Sequence, residues 1–185
     1  MRFAYLILLL GLTFITACKE SEKNEIYNEN NTTVKDGVVY NIDEAPINGL
    51  YRTYFANGNV KMEVYSQNGK PNGLGKFYQE DGTLVYEGTF SDGTPVGTIY
   101  QYYHNGKVHN EQNYANGVLH GIQQTFNKKG ELTMEITFNQ GKATAGYMII
   151  NNEKIEFTPE ELQKLGTDER SETDKVEQYG INKKD

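Results

Sequence analysis

The chain has one cysteine, Cys18, and no tryptophan among 185 residues. A lone thiol excludes an intramolecular disulfide framework, and the missing tryptophan argues against a sugar-binding platform. Basic side chains are in deficit: 18 Lys and Arg stand against 25 Asp and Glu, a formal net charge of -7. That balance argues against nucleic acid or an anionic lipid surface as the main partner. The apolar run at 3–14 is too short to span a bilayer, which takes about 20 residues. The few histidines, His104, His109 and His120, fall at unrelated places in the chain and are not expected to converge on a metal. Ser21, Ser66, Ser91 and Ser171 have no base beside them in sequence, so a serine nucleophile is unsupported.

What the first residues do contain is an export pattern. Arg2 supplies a positive start, the apolar run follows, and Ile15, Thr16 and Ala17 lead into Cys18. The segment is similar to a bacterial lipobox, with Ile15 where leucine is commonest. The similarity implies cleavage before Cys18, acylation of that residue, and residence at the cell membrane or outer membrane, outside the cytoplasm. Two or three acyl chains, each CH₂ worth about 0.8 kcal/mol on burial, would anchor the chain durably. Residues 18–36 are charged and rich in asparagine, and are expected to be a disordered tether.

Residues 49–144 are one 24-residue unit written four times without a gap. Gly49, Gly73, Gly97 and Gly121 open the units. An aromatic follows (Tyr54, Tyr78, Tyr102, Phe126), then a turn glycine (Gly58, Gly82, Gly106, Gly130) and an aliphatic (Val60, Leu84, Val108, Leu132). Glu63, Glu87, Glu111 and Glu135 come next, and Gly69, Gly93, Gly117 and Gly141 mark a second turn. Between the turns lie runs of β-branched and aromatic residues, so each unit reads as strand, turn, strand, turn. Alternation places Val60, Met62 and Val64 on one face and Lys61, Glu63 and Tyr65 on the other. Copy one departs from the others: Ser66 takes the apolar position and Tyr65 points outward unless a bulge intervenes. Copy three is the most polar on this face, with Asn110 and Gln112.

Half-units flank the four copies. Residues 38–43 match a second strand, and 147–157 read as a last hairpin turning at Asn151-Asn152. About ten or eleven strands at ~4.8 Å spacing predict an elongated sheet on the order of 50 Å long. Residues 158–166 predict a short capping helix: Thr158 as N-cap, Pro159 at N1, Glu161 completing a capping box, Phe157 and Leu162 as a staple, and Gly166 as the stop. Its expected work is to cover the last strand edge. Residues 167–185 are expected to be a disordered charged tail.

Copies such as G-L-Y-R-T-Y-F-A-N-G-N-V-K-M-E from Gly49 and G-T-I-Y-Q-Y-Y-H-N-G-K-V-H-N-E from Gly97 resemble the bacterial variant of the MORN repeat. The resemblance implies successive hairpins joined into one long antiparallel sheet. Some relatives are antitoxin components of toxin–antitoxin systems, yet an exported chain would have to meet a cytosolic toxin before export. Lipid binding, associated with eukaryotic MORN proteins, conflicts with the acidic balance.

The glutamates form the most suggestive row. They should stand roughly 10 Å apart, two strands from copy to copy, which is wider than the ~5 to 9.5 Å of glycosidase carboxylate pairs. Structural pairing with turn N–H groups or with Lys61 and Lys76 is the simpler use, and a calcium site would need six or more oxygens together. Tyrosine is abundant, at 14. Inward rings read as core, while Tyr51, Phe55, Tyr65 and Tyr103 read as an outward contact strip. The sequence thus predicts an all-β, non-enzymatic, monomeric repeat protein, anchored through Cys18, without cofactor or metal, that binds an envelope or surface protein. A spacer role is the alternative. A hydrolase would need unlike titratable groups, and the repeats supply only like ones.

Overall fold

The computed structural model describes residues 26–165. The export segment, Cys18 and the tail expected at 167–185 lie outside the described residues. Three short strands come first: β1 (Ile26–Asn28), β2 (Thr32–Lys35) and β3 (Val38–Asn41). The repeats follow as β4 (Gly49–Tyr54) and β5 (Val60–Gln67), β6 (Lys70–Tyr78) and β7 (Leu84–Ser91), and β8 (Thr94–Tyr102) and β9 (Val108–Ala115). The two-residue β10 (Val118–Leu119) then leads to β11 (Gly121–Phe126) and β12 (Leu132–Asn139). The chain ends in β13 (Lys142–Ile150), β14 (Glu153–Glu156) and helix α1 (Pro159–Leu165).

Twelve strands make one sheet in the order β1-β4-β5-β6-β7-β8-β9-β11-β12-β13-β14, with β10 paired to β9. Every pairing in it is antiparallel except β1 with β4. The copies are therefore not separate beads, since β5–β6, β7–β8 and β9–β11 carry the ladder across each copy boundary. Stability of such an array comes from each unit and its contact with the next.

Two turn chemistries set the geometry. At the second turn of each unit both residues have positive φ: Asn68-Gly69, Asp92-Gly93, Asn116-Gly117 and Gln140-Gly141. That pair of conformations is the type I′ hairpin turn, whose twist matches the strands it joins. The first turn is longer, with the Phe55 N–H donating to the Asn59 carbonyl and the Gly58 N–H to that of Phe55. Next to it the ladder slips by one residue in every copy, at Thr53/Tyr54, Phe77/Tyr78, Gln101/Tyr102 and Thr125/Phe126. This bulge decides which side chains share a face.

One face, here called inner, holds the core. Tyr51, Met62, Val64, Phe90 and Ile99 are buried together with Val39 and Ile47. A second apolar site contains Ile136 and Phe138 of β12, and Leu162 is buried on α1. Between these sites the inner face is polar. Gln101 donates to the Tyr86 hydroxyl (3.0 Å), Asn110 to Gln101 (2.7 Å) and Thr125 to Asn110 (2.8 Å), a chain of hydrogen bonds across four strands. Each bond satisfies a group that the sheet half-buries.

Three expectations at the ends of the sheet need correction. Residues 26–35 of the expected tether are not free: β1 pairs with β4, and β2 with β3. Residues 38–43 do not extend the main sheet either, because β2 and β3 form a separate two-stranded sheet. The physical reason is cover: the apolar face of β4 and β5 needs a lid, and Val39 and Ile47 supply it. Finally, α1 packs on β13 and β14 is exposed along its whole length, so the helix does not mask the last edge. Glu153, Lys154 and Glu156 on that strand discourage further pairing instead. The capping box itself is present: the Thr158 N–H donates to Glu161 Oε2 (2.8 Å), and the Glu161 N–H to Thr158 Oγ1 (3.3 Å).

Candidate partner-binding face

The outer face carries one continuous row of side chains in register. Across the strands it reads Asn28, Arg52, Glu63, Lys76, Glu87, Tyr100, Glu111, Gln124, Glu135, Tyr147, Glu156. The four repeat glutamates thus alternate with residues that differ from copy to copy. Neighbouring carboxylates sit two strands apart, about 10 Å at the usual spacing.

Glu63 is held from both sides. Two nitrogens of Arg52 lie 3.1 Å from Oε2, and the Tyr78 hydroxyl donates to Oε1 at 2.9 Å. Glu87 accepts from the Tyr102 hydroxyl at 2.6 Å and has Lys76 at 4.0 Å. Burial first, and then the bonded carboxylate, push the Tyr78 phenol up to about 12. Tyr102 is raised by the same causes, burial ahead of Glu87. Glu135 accepts from Gln124 (2.8 Å), and beside it Lys154 sits 3.9 Å above the Tyr147 ring while pairing with Glu156 (2.8 Å).

Glu63 and Glu87 therefore use cations and phenols of neighbouring strands, Lys76 as expected, and Glu135 the amide of Gln124; among the described residues neither a turn N–H nor Lys61 bonds these carboxylates. Sequence reading does not single out Tyr78 and Tyr102. Their signal is the aromatic fifteen residues after Glu63, Glu87 and Glu111, which the bulge at the first turn turns to the outer face; after Glu135 that position is Ile150.

A second outer row, nearer the type I′ turns, is apolar. Ile26 pairs with Leu50, Leu50 with Tyr65, and Leu74 lies on the next strand, one residue before the Gly75 that pairs with Val64. Ile26 is 48% exposed, Tyr65 50% and Leu74 46%, so three large apolar side chains on this part of the outer face meet solvent, with half-buried Leu50 between the first two. Isolated exposed apolar residues are ordinary, whereas contiguous ones mark contact surfaces.

Of the four expected contact residues, only Tyr65 belongs to this row. Tyr51 is buried in the core, because the bulge gives it the same parity as Met62 and Val64, and burial raises its phenol pKa. Phe55 is half-buried in the first turn of copy one. Tyr103 is half-buried too: its hydroxyl donates to the Phe126 carbonyl (2.9 Å), and its ring packs on His109 at 4.3 Å, tying copy three to copy four. Ser66 is buried as its parity requires, leaving Tyr65 outward. The repeat-opening Gly49, Gly73, Gly97 and Gly121 all have positive φ, a structural use.

His104 lies 3.6 Å from Asp81, His109 lies under Tyr103, and among the described residues no three His, Cys, Asp or Glu side chains are placed to hold a metal. Among the described residues no helix is long and apolar enough to cross a membrane.

A main sheet of tandem hairpins with a register-locked outer face defines a tandem β-repeat protein. The family model described as MORN repeat variant matches residues 47–68, 71–92, 95–116 and 119–140, so the chain carries four tandem repeats of that type. No curated protein matches the chain. One solved structure with some likeness is that of a S. aureus TarM mutant in complex with Fondaparinux, alpha-GlcNAc-glycerol and UDP. It is 13% identical with a TM-score of 0.30, over 67% of this chain and 21% of that one. A score that low carries no functional argument.

Proposed function

We propose that this is a non-enzymatic envelope lipoprotein, anchored through Cys18, whose outer sheet face binds a partner protein. The observation that supports it most is that the row of exposed Ile26, Tyr65 and Leu74 with half-buried Leu50 runs beside the charged Arg52–Glu63–Lys76–Glu87 row on the same face of neighbouring strands. An apolar centre beside ordered charges is the composition of a protein contact surface. A spacer would need no such row.

The test places a photo-crosslinking residue at Leu74 and, as an exposed control on the edge strand, at Ile155, in the full-length chain expressed in its own cells. The proposal expects a discrete adduct from position 74, lost when Tyr65→Ser is added, and no equivalent adduct from position 155. Absence of any discrete adduct from position 74 would leave the spacer reading in its place. The anchor is tested separately: Cys18→Ala should lose fatty-acid labelling and leave the membrane fraction, and retention of both would refute it.

A further inference from the structure

Within the outer row one carboxylate has been left without the partners that its equivalents have. Glu63 has Arg52 and Tyr78, and Glu87 has Lys76 and Tyr102. Glu111 stands between Tyr100 and Gln124, where the earlier copies place Arg52, Lys76 or both. Its phenol is missing as well. The residue fifteen positions on, which bonds the carboxylate in copies one and two, is Phe126 and has no hydroxyl. Among the described residues no hydrogen bond or ion pair reaches the Glu111 side chain.

What surrounds Glu111 is aromatic. Tyr100 is its direct register partner, and Tyr102 stacks beside Tyr100 with ring centroids 6.4 Å apart and planes at 28°. Tyr100, Tyr102 and Glu111 are all partly exposed, and a carboxylate beside an accessible aromatic face attracts an organic cation twice, by charge and by the ring quadrupole. The same chain shows the filled form two strands further on. There Lys154, paired with Glu156 at 2.8 Å, lies beside the Glu135–Tyr147 pair with its ammonium 3.9 Å from the Tyr147 ring centroid.

From this we infer that Glu111 with Tyr100 and Tyr102 forms a socket for a cationic side chain, an arginine or lysine of a partner protein. The inference deepens the reading of the outer face as a partner-binding surface and gives the partner's chemistry. Formal charge agrees with it, because the chain is at -7 and would favour a basic partner surface. The socket lies on β8 and β9, beyond the apolar row of β1 and β4–β6, so a partner that used both would lie across the strands.

The test is an NMR titration of the ¹⁵N-labelled mature chain with Nα-acetyl-arginine amide, with Nα-acetyl-citrulline amide as the uncharged control. The expected result is a saturable shift of the Tyr100, Glu111 and Gln124 amides with the arginine compound alone. Affinity should fall about threefold or more in Glu111→Gln, the range for one exposed ion pair with a cation–π contact. Phe126→Tyr should also weaken it, because the new hydroxyl donates to Glu111 as Tyr78 does to Glu63. Glu135→Gln, with its own lysine nearby, should leave the titration unchanged. Equal shifts at all exposed carboxylates, or a response unaltered by both Glu111→Gln and Phe126→Tyr, would overturn the socket. Specific arginine binding without a crosslinked adduct at position 74 would sustain the socket and contradict the proposed partner, and the reverse outcome would do the opposite.

Discussion

Copies one and two, set against copies three and four, show one backbone unit used for two purposes. In the first pair the outer glutamates are clamped by Arg52, Lys76, Tyr78 and Tyr102, and the inner face is an apolar core under the β2–β3 lid. In the second pair the row holds Tyr100 and Gln124 instead, with Tyr147 just beyond copy four, and the inner face from copy three into copy four carries the Gln101–Asn110–Thr125 hydrogen-bond chain. Glycines, turns and bulges are alike in both halves. The fold is therefore carried by the turn chemistry and the ladder, and the row positions are free to vary with use.

The largest expected effect separates the two inner faces. Met62→Ala removes a buried side chain of the apolar half and should cost about 2–5 kcal/mol. Asn110→Ala in the polar half should cost about 1 kcal/mol, since its partners are half-exposed and water can replace it. Urea unfolding of both variants checks the difference, and equal losses would break the comparison. Next comes Gly88→Ala, where an added Cβ would overlap Ile99. A loss of about 1–3 kcal/mol is expected there, and little change at the open Gly97 site is not expected to follow from sterics, since its φ of 71° strains any side chain.

On the outer face, Tyr78→Phe removes the bond to Glu63 and should cost about 1 kcal/mol at neutral pH. Its sign against pH is fixed by the raised phenol. With a folded value of about 12 above the ordinary 10.0, the Tyr78 contribution is complete below pH 10 and is lost as pH rises through 12. Tyr78→Phe should therefore flatten the fall in stability over that window, as measured by thermal melts at a series of alkaline pH values. Glu63→Gln should destabilise, whereas Glu111→Gln, with no partner to lose, should be near neutral. Equal effects would mean that the two halves of the row are not different. The smallest effect is at the last type I′ turn, where Gln140 stands in the left-handed position that Asn68, Asp92 and Asn116 fill elsewhere. Gln140→Asn should raise stability by a few tenths of a kcal/mol, about the gain when a residue suits its turn.

Much of this was legible because it is local. The period, the hairpin turns, the Asn151-Asn152 hairpin and the Thr158–Glu161 capping box each depend on residues close in sequence. What the sequence did not disclose depends on distant pairing. Residues 26–35 look like polar tether, yet Tyr27 packs against the core and Ile26 pairs with Leu50, contacts that no local pattern announces. The outward tyrosines were hidden for another reason. A one-residue bulge at the first turn reverses the alternation, placing Tyr51 inside and Tyr78 and Tyr102 on the carboxylates. The open state of Glu111 needed both the register and the identity of residue 126.

All of these readings require neighbouring copies to share one sheet in the stated register. Interstrand backbone NOEs in the labelled mature chain test that directly. Glu87 should show contacts to Tyr100, and Glu111 to both Tyr100 and Gln124, so that one path of cross-strand NOEs runs from copy two into copy four. Contacts confined within each hairpin, with none from Glu87 to Tyr100 or from Glu111 to Gln124, would contradict it.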